Sequence, residues 1–265
     1  MSEVFAENQV FMWTVVIFLG LCFGSFANVL IWRLPRKQSI VSPPSCFPGC
    51  NNQLKWYHNI PVISWVVLRG KCGYCKTKIS WIYPVVELIT AALFAAFYAR
   101  YGVSWTTFGF WYLSLTLVAV FFIDLEHQII PNSLTYPGVI VGFATSIVSS
   151  HLPWHQSLLG AAVGAGIFIG VAVLGRFLFK KESMGGGDVK LAAMLGAFLG
   201  AGRILLVFVF SAAIGLVISL IAMAVSEKIR RDRVIPFGPF IALATLLVAF
   251  YGEQIVDFYV RHFLK

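Results

Sequence analysis

The sequence predicts an all-α polytopic membrane protein of about eight transmembrane helices, with a small zinc-ribbon-like cytoplasmic domain between helices 1 and 2. Three observations predict it. Hydrophobic residues make up 59% of the 265-residue chain and charged residues only 12%, against roughly 25% charged in an average soluble domain. Apolar windows recur near 11–31, 84–101, 106–123, 134–150, 157–179, 203–225 and 236–256, with a shorter run at 189–201. A helix needs about 20 apolar residues to cross the hydrocarbon core. Four of the five cysteines share one polar stretch, 32–83.

The first apolar segment begins at Phe11 behind Glu3 and Glu7, with no lysine or arginine before it. It lacks the basic flank and small-residue cleavage site of a secretory signal, so residues 1–31 read as a retained helix. Placing the N-terminus outside gives the cytoplasmic segments 16 of the 20 Lys and Arg: eight in 32–83, four in 176–190 and four in 225–234. That arrangement obeys the positive-inside rule. The net charge of +9 then reflects topology and attraction to anionic lipid, and a nucleic-acid partner is not expected.

Residues 32–83 hold eight basic residues and no acid. So short and aliphatic-poor a segment needs a staple to fold. Cys46-Phe-Pro-Gly-Cys50 and Cys72-Gly-Tyr-Cys75 are tight pairs separated by 21 residues, each with a glycine to permit the turn. Four thiolates so spaced suit a tetrahedral zinc ion, and a cytoplasmic setting disfavours the alternative of two disulfides. Cys22, within the first helix, reads as an ordinary buried thiol.

The remainder, 84–265, reads as a helical bundle. Gly160, Gly164, Gly166 and Gly170 fall on a small-residue pattern that lets membrane helices approach closely. Glu87, Asp124, Glu126 and Asp188 are among the few acids in or beside apolar segments. Asp124 closes one helix in Phe121-Phe-Ile-Asp-Leu-Glu-His127, and Asp188 opens another after Gly185-Gly-Gly187. Both then lie at one depth near the cytoplasmic face. Two close carboxylates share a proton, so one serves as base toward water while the other serves as acid toward a carbonyl. The glycines Gly185 and Gly187 allow close approach of backbone, and Lys190 and His127 read either as groups that tune the acids or, by default, as interfacial residues near headgroups. Two other readings stay open on spacing alone: Asp188 as a helix cap, and proton-coupled transport. No inverted repeat accompanies the latter.

These residues resemble a known family. Gly185-Gly-Gly187-Asp188 is similar to the GxGD signature of aspartyl membrane proteases, and Asp124 followed by Ile130-Pro131-Asn132 looks like the partner motif of prepilin peptidases. Gly24-Ser-Phe-Ala-Asn-Val-Leu-Ile-Trp-Arg-Leu-Pro35, the four cysteines with Asn59-Ile-Pro61, Tyr83-Pro84-Val-Val-Glu87 and Pro236-Phe-Gly-Pro-Phe240 follow the same pattern in order. The resemblance implies a type IV prepilin leader peptidase and N-methyltransferase of the bacterial inner membrane. Such enzymes cut the basic leader of prepilins and type II secretion pseudopilins, then methylate the new amine from S-adenosylmethionine. It implies Asp124 and Asp188 as the catalytic pair, and a methyl-transfer region holding Gly24, Ser25, Asn28, Arg33 and Glu87 beside the cysteines Cys46, Cys50, Cys72 and Cys75. Glu87 is expected as base toward the amine, as a partner of Arg33, or as an interfacial anchor. The apolar run after Asp188 and its neighbours are expected to offer a lipid-like groove to the substrate helix. One departure stands out: Ile82 occupies the place where the family pattern leads us to expect arginine, which raises a peptidase without methyl transfer as the alternative.

Overall fold

The structure, a computed structural model, describes residues 2–44, 46–47, 50, 52–180, 185–225 and 235–263. Among them it is helical, without strands; two isolated bridges, Cys46 with Gln53 and Lys71 with Lys78, are its only sheet-like pairing. The basic run at 228–233, Lys181, and Pro48 and Gly49 of the first cysteine turn lie outside the described residues.

The helices are α1 (Ser2–Arg33), α2 (Ile63–Val67), α3 (Ile82–Tyr101), α4 (Trp105–His127), α5 (Asn132–Val148), α6 (Trp154–Phe179), α7 (Gly186–Leu199), α8 (Ala201–Val225) and α9 (Gly238–Phe263). Six of them, α1, α3, α4, α6, α8 and α9, are long and apolar enough to cross a membrane. The two remaining predicted crossings, at 134–150 and 189–201, form helices of 17 and 14 residues. At 1.5 Å per residue α7 is about 21 Å long, short of a core about 30 Å thick.

The chain packs as two units, Met1–Ala119 and Val120–Lys265. In the first, α1 lies along α3. Small residues permit it: a Cβ at Gly24 would sit 2.5 Å from the Cα of Glu87, and one at Gly20 equally close to that of Ala91. Stacked rings of Phe94 and Trp111, 4.7 Å apart, fix the start of α4 against α3, and the Trp111 indole donates to the Phe94 carbonyl at 2.9 Å.

In the second unit α7 is the central rod, packed against α5, α6 and α8. Its apolar residues encircle it, which is the pattern of a helix enclosed by others. The backbones of α6 and α7 touch where Gly160 meets Gly196 and Gly164 meets Ala192, and the Ser157 hydroxyl donates to the Ala197 carbonyl at 2.7 Å. Gly166 and Gly170 face open space, so only the first half of the predicted glycine pattern is used in packing.

Candidate active sites

The first site forms where helix ends of the second unit meet. Asp124 lies in the last turn of α4 and is 5% exposed. Its Oδ2 accepts the Gly238 N–H, at the start of α9, over 2.8 Å. Asp188 lies in the first turn of α7, outside the six long spans. Its Oδ2 accepts the Gly185 N–H at 3.2 Å while its own N–H returns to the Gly185 carbonyl at 3.2 Å. The capping role is therefore real. It is also not the whole role, because the Asp188 carboxyl is pushed up to about 6, first by burial and then by the charge of Asp124. The two predicted acids are within electrostatic reach of each other.

Gly187 permits this arrangement: a Cβ there would lie 2.9 Å from the Cβ of Ile130, so the glycine turn rests on the segment leading into α5. Gly185 supplies the amide that caps Asp188. Lys190 turns away toward α5, donating to the Asn132 Oδ1 at 2.9 Å over the Tyr136 ring. It fastens α7 to α5 at this corner. His127 approaches Glu126 at 3.8 Å. The run after Asp188 does not form the expected groove: Leu191, Ala192, Met194, Leu195, Ala197, Phe198 and Leu199 are all buried in the bundle. The residue that sequence reasoning missed is Gly238. Its signal was the Pro236-Phe-Gly-Pro-Phe240 string, which pattern alone connected to no carboxylate.

The second site is a cavity of about 960 Å³ within the first unit, walled by α1, the cysteine segment and the start of α3. Ser25, Asn28, Arg33 and Glu87 all line it, together with His58 and Tyr83. Asn28 donates to the Tyr83 carbonyl at 3.1 Å. Arg33 donates to the carbonyls of Ser39 (2.8 Å) and Pro43 (2.7 Å), tying down the chain that leaves α1. Glu87, 7% exposed, accepts the Val62 N–H at 2.7 Å and a bond from Ser25. The contacts of Arg33 and Glu87 go to these backbone groups rather than to each other. Val62 has φ of 59°, an unfavourable conformation for a β-branched residue that costs about 1–3 kcal/mol and persists only where neighbours enforce it. Gly24 does not line the cavity; it is the packing contact with Glu87. Ile82 is partly exposed and also stands outside the wall. Pockets for molecules of cofactor size span about 300–1,000 Å³ with a few polar groups on an apolar lining, and this cavity has that size and character.

Three of the four cysteines gather around Cys72, which, like Cys46, lines the cavity. The sulfurs of Cys50, Cys72 and Cys75 lie within 4.8 Å of one another, and Cys50 and Cys72 are 4.0 Å apart. Zn–S bonds of about 2.3 Å in a tetrahedron put sulfurs about 3.8 Å apart, so the three fit a zinc ion. The Tyr74 N–H points at the Cys72 sulfur over 3.5 Å, as a metal knuckle requires. Thr77, through its hydroxyl and then its backbone, draws the Cys75 thiol down to about 7, favouring the thiolate that binds metal. Cys46 is exposed and does not join the cluster.

Comparison with known proteins follows the same division. The family model described as Bacterial Peptidase A24 N-terminal domain matches residues 18–101, and that of the Type IV leader peptidase family matches residues 111–220. A prepilin leader peptidase/N-methyltransferase of Xanthomonas campestris is 40% identical over 92% of each chain. One of Neisseria gonorrhoeae is 31% identical over 92% of this chain and 93% of its own, and one of Bacillus subtilis is 34% identical over 94% and 98%. No solved structure matches significantly.

Proposed function

The chain belongs to the prepilin leader peptidase/N-methyltransferase family, and from that membership we propose that it carries out both reactions of that name. The substrates are prepilins and type II secretion pseudopilins. Their scissile bond lies where a basic leader meets an apolar segment, at the cytoplasmic boundary of the inner membrane, and the N-terminus of this enzyme lies outside. The peptidase unit is 84–265 and the methyl-transfer region is 32–83 with its flanks from α1 and α3. A span count of eight, with α5 and the short run 189–201 beyond Asp188 as the two short crossings, completes this topology.

The observation that carries the peptidase half is that Asp188 feels the charge of the buried Asp124 where two helix ends meet. In the singly protonated pair, one carboxylate removes a proton from water as its oxygen attacks the scissile carbonyl. The other carboxyl gives its proton to the carbonyl oxygen. Collapse of the tetrahedral intermediate breaks the C–N bond, and the proton taken from water goes to the leaving amine. Water enters from the cytoplasm, which is why the acids stand at a helix end rather than at mid-bilayer.

S-adenosylmethionine supplies, when bound, an electrophilic methyl carbon on sulfonium. The cavity residues bind and orient donor and amine, a task mainly of positioning, with Asn28 and Glu87 holding the wall and Tyr83 beside them. Zinc on Cys50, Cys72 and Cys75, with Cys46 as fourth ligand after local movement, would hold the segment folded.

Mass spectrometry of a prepilin co-expressed with wild type, Asp124→Asn, Asp188→Asn and Cys72→Ser tests both halves. Uncut prepilin with either Asp variant, and a wild-type product heavier by one methyl group, are expected. Cleavage retained by an Asp variant present in the membrane would end the aspartic mechanism. An unmethylated wild-type product would leave the alternative raised by Ile82, a peptidase alone.

A further inference from the structure

The start of α9 contributes a group that the acid pair does not explain. A helix N-terminus leaves its first backbone N–H groups without intrahelical partners, and their destinations can be followed one by one. Pro239 has no N–H. Those of Phe240 and Ile241 turn back to the Phe237 carbonyl at 3.0 and 3.1 Å. The Gly238 N–H remains, and it is given to Asp124 Oδ2 at 2.8 Å across 114 residues of sequence. The contact is buried, and the turn that delivers it is held by rings: Phe237 packs against Phe168 and Phe240 at 6.4 and 6.1 Å, and Phe240 closes onto Gly215.

Only glycine fits at this point. A Cβ on residue 238 would sit 2.6 Å from Asp124 Oδ2 and 3.0 Å from its Cγ. A larger residue would therefore push the carboxylate aside and lengthen the hydrogen bond in one step. We propose that Gly238 is a positioning residue of the peptidase site, its amide fixing Oδ2 of Asp124 so that the other oxygen faces Asp188 and water. This rests on the reading of Asp124 and Asp188 as the catalytic pair. Asp188 also receives a glycine amide, from Gly185, but that contact is exposed and 3.2 Å long, against the buried 2.8 Å contact at Asp124. A charge-assisted bond favours the ionised carboxylate, so the tighter contact assigns Asp124 as the base toward water and leaves the shared proton on Asp188, the acid toward the carbonyl.

The test uses the full-length enzyme in lipid vesicles, cleaving a prepilin. Wild type is compared with Asp124→Asn, Gly238→Ala, a chain carrying glycolic acid at 238, and Gly166→Ala. The glycolic ester removes the N–H without adding bulk, so it reads the hydrogen bond even if Gly238→Ala fails to fold. Gly166 has open space where a Cβ would stand and controls for a glycine change elsewhere in the same unit. The ester chain is expected to lose tenfold or more in kcat, with KM unchanged within twofold. The acid limb of its pH–rate profile should move to higher pH, because the donor that favoured the ionised carboxylate is gone. Methylation of a pre-cut pilin should stay at the wild-type rate. Wild-type kcat and an unmoved acid limb in the ester chain, with Asp124→Asn inactive, would overturn the role of Gly238. Cleavage by Asp124→Asn would instead overturn the catalytic pair and this inference with it.

Discussion

The acid corner of the second unit and the cavity of the first each use a handful of polar residues, in different ways. At the corner, helix ends converge so that backbone amides of Gly185 and Gly238 serve the two carboxylates, and glycine is needed for contact. In the cavity, side chains reach outward to backbone groups of the wall, Asn28 to Tyr83, Arg33 to Ser39 and Pro43, Glu87 to Val62. The proposed proton transfer needs two groups held in fixed relation, and amides at helix ends hold each carboxylate in place. Alkyl transfer needs a surface large enough to hold two molecules in line, which a loop segment braced at several points provides. The corner should therefore be intolerant of atomic change, and the cavity sensitive to loss of its braces.

The largest expected effect lies at the corner. Asp124→Asn and Asp188→Asn should each lower prepilin cleavage by roughly 10²–10⁴-fold while leaving methylation of a pre-cut pilin intact. A variant that lost both activities equally would break the division between the regions. The pair also gives a pH dependence. Because Asp188 holds its proton up to about 6, the singly protonated pair is depleted as pH rises through that value, and cleavage by the purified enzyme should fall there. Its acid limb lies lower, where the second carboxylate takes up a proton. A carboxyl held above its free value also costs stability as pH rises from the free to the folded value, so thermal stability should decline over the same interval.

Next come the braces of the cavity. If Glu87 were the base toward the amine, Glu87→Gln would abolish methylation. Its bond to the Val62 N–H indicates a brace instead: glutamine keeps an acceptor there and should retain most activity, while Glu87→Ala should lose it and be partly restored by Val62→Gly, which relieves the positive φ. Cleavage should be unaffected in all three. Equal loss in Gln and Ala variants would make Glu87 a base after all. Removal of metal by a chelator should likewise unfold 32–83 and abolish methylation ahead of cleavage, followed by metal analysis of the purified chain.

Much of this was legible before the structure, for physical reasons. Membrane helices announce themselves through composition, and an acid beside an apolar run is costly enough to be conspicuous, so Asp124 and Asp188 stood out. Cysteine spacing suggested a cluster of four, of which the structure brings together Cys50, Cys72 and Cys75 while Cys46 sits apart. Contacts that depend on backbone were not. Nothing in the residue type of Gly238 says that its amide meets a carboxylate 114 positions away. The burial of Leu191–Leu199 was hidden too, because an apolar run reads alike whether it faces lipid or neighbouring helices. Glu87 and Arg33 looked like a pair by charge; each satisfies a backbone group instead.

The smallest expected effect concerns an ion pair far from both regions in sequence. Arg203 near the start of α8 meets Glu253 in α9, and the side chains are 25% and 61% exposed. Exposed pairs of this kind contribute about 0–1 kcal/mol, because solvent screens the attraction and two long side chains must be ordered. Arg203→Ala should therefore leave cleavage and methylation within twofold of wild type and change the thermal midpoint little. The contrast with Asp124 is the point of the measurement. Both acids belong to the same unit and both bond across helices, one to a buried amide and one to an exposed guanidinium. A large loss of cleavage in Arg203→Ala would show that the start of α9, some fifteen residues before Glu253, is held in place from the far end of that helix, and the corner would then no longer be a locally determined site.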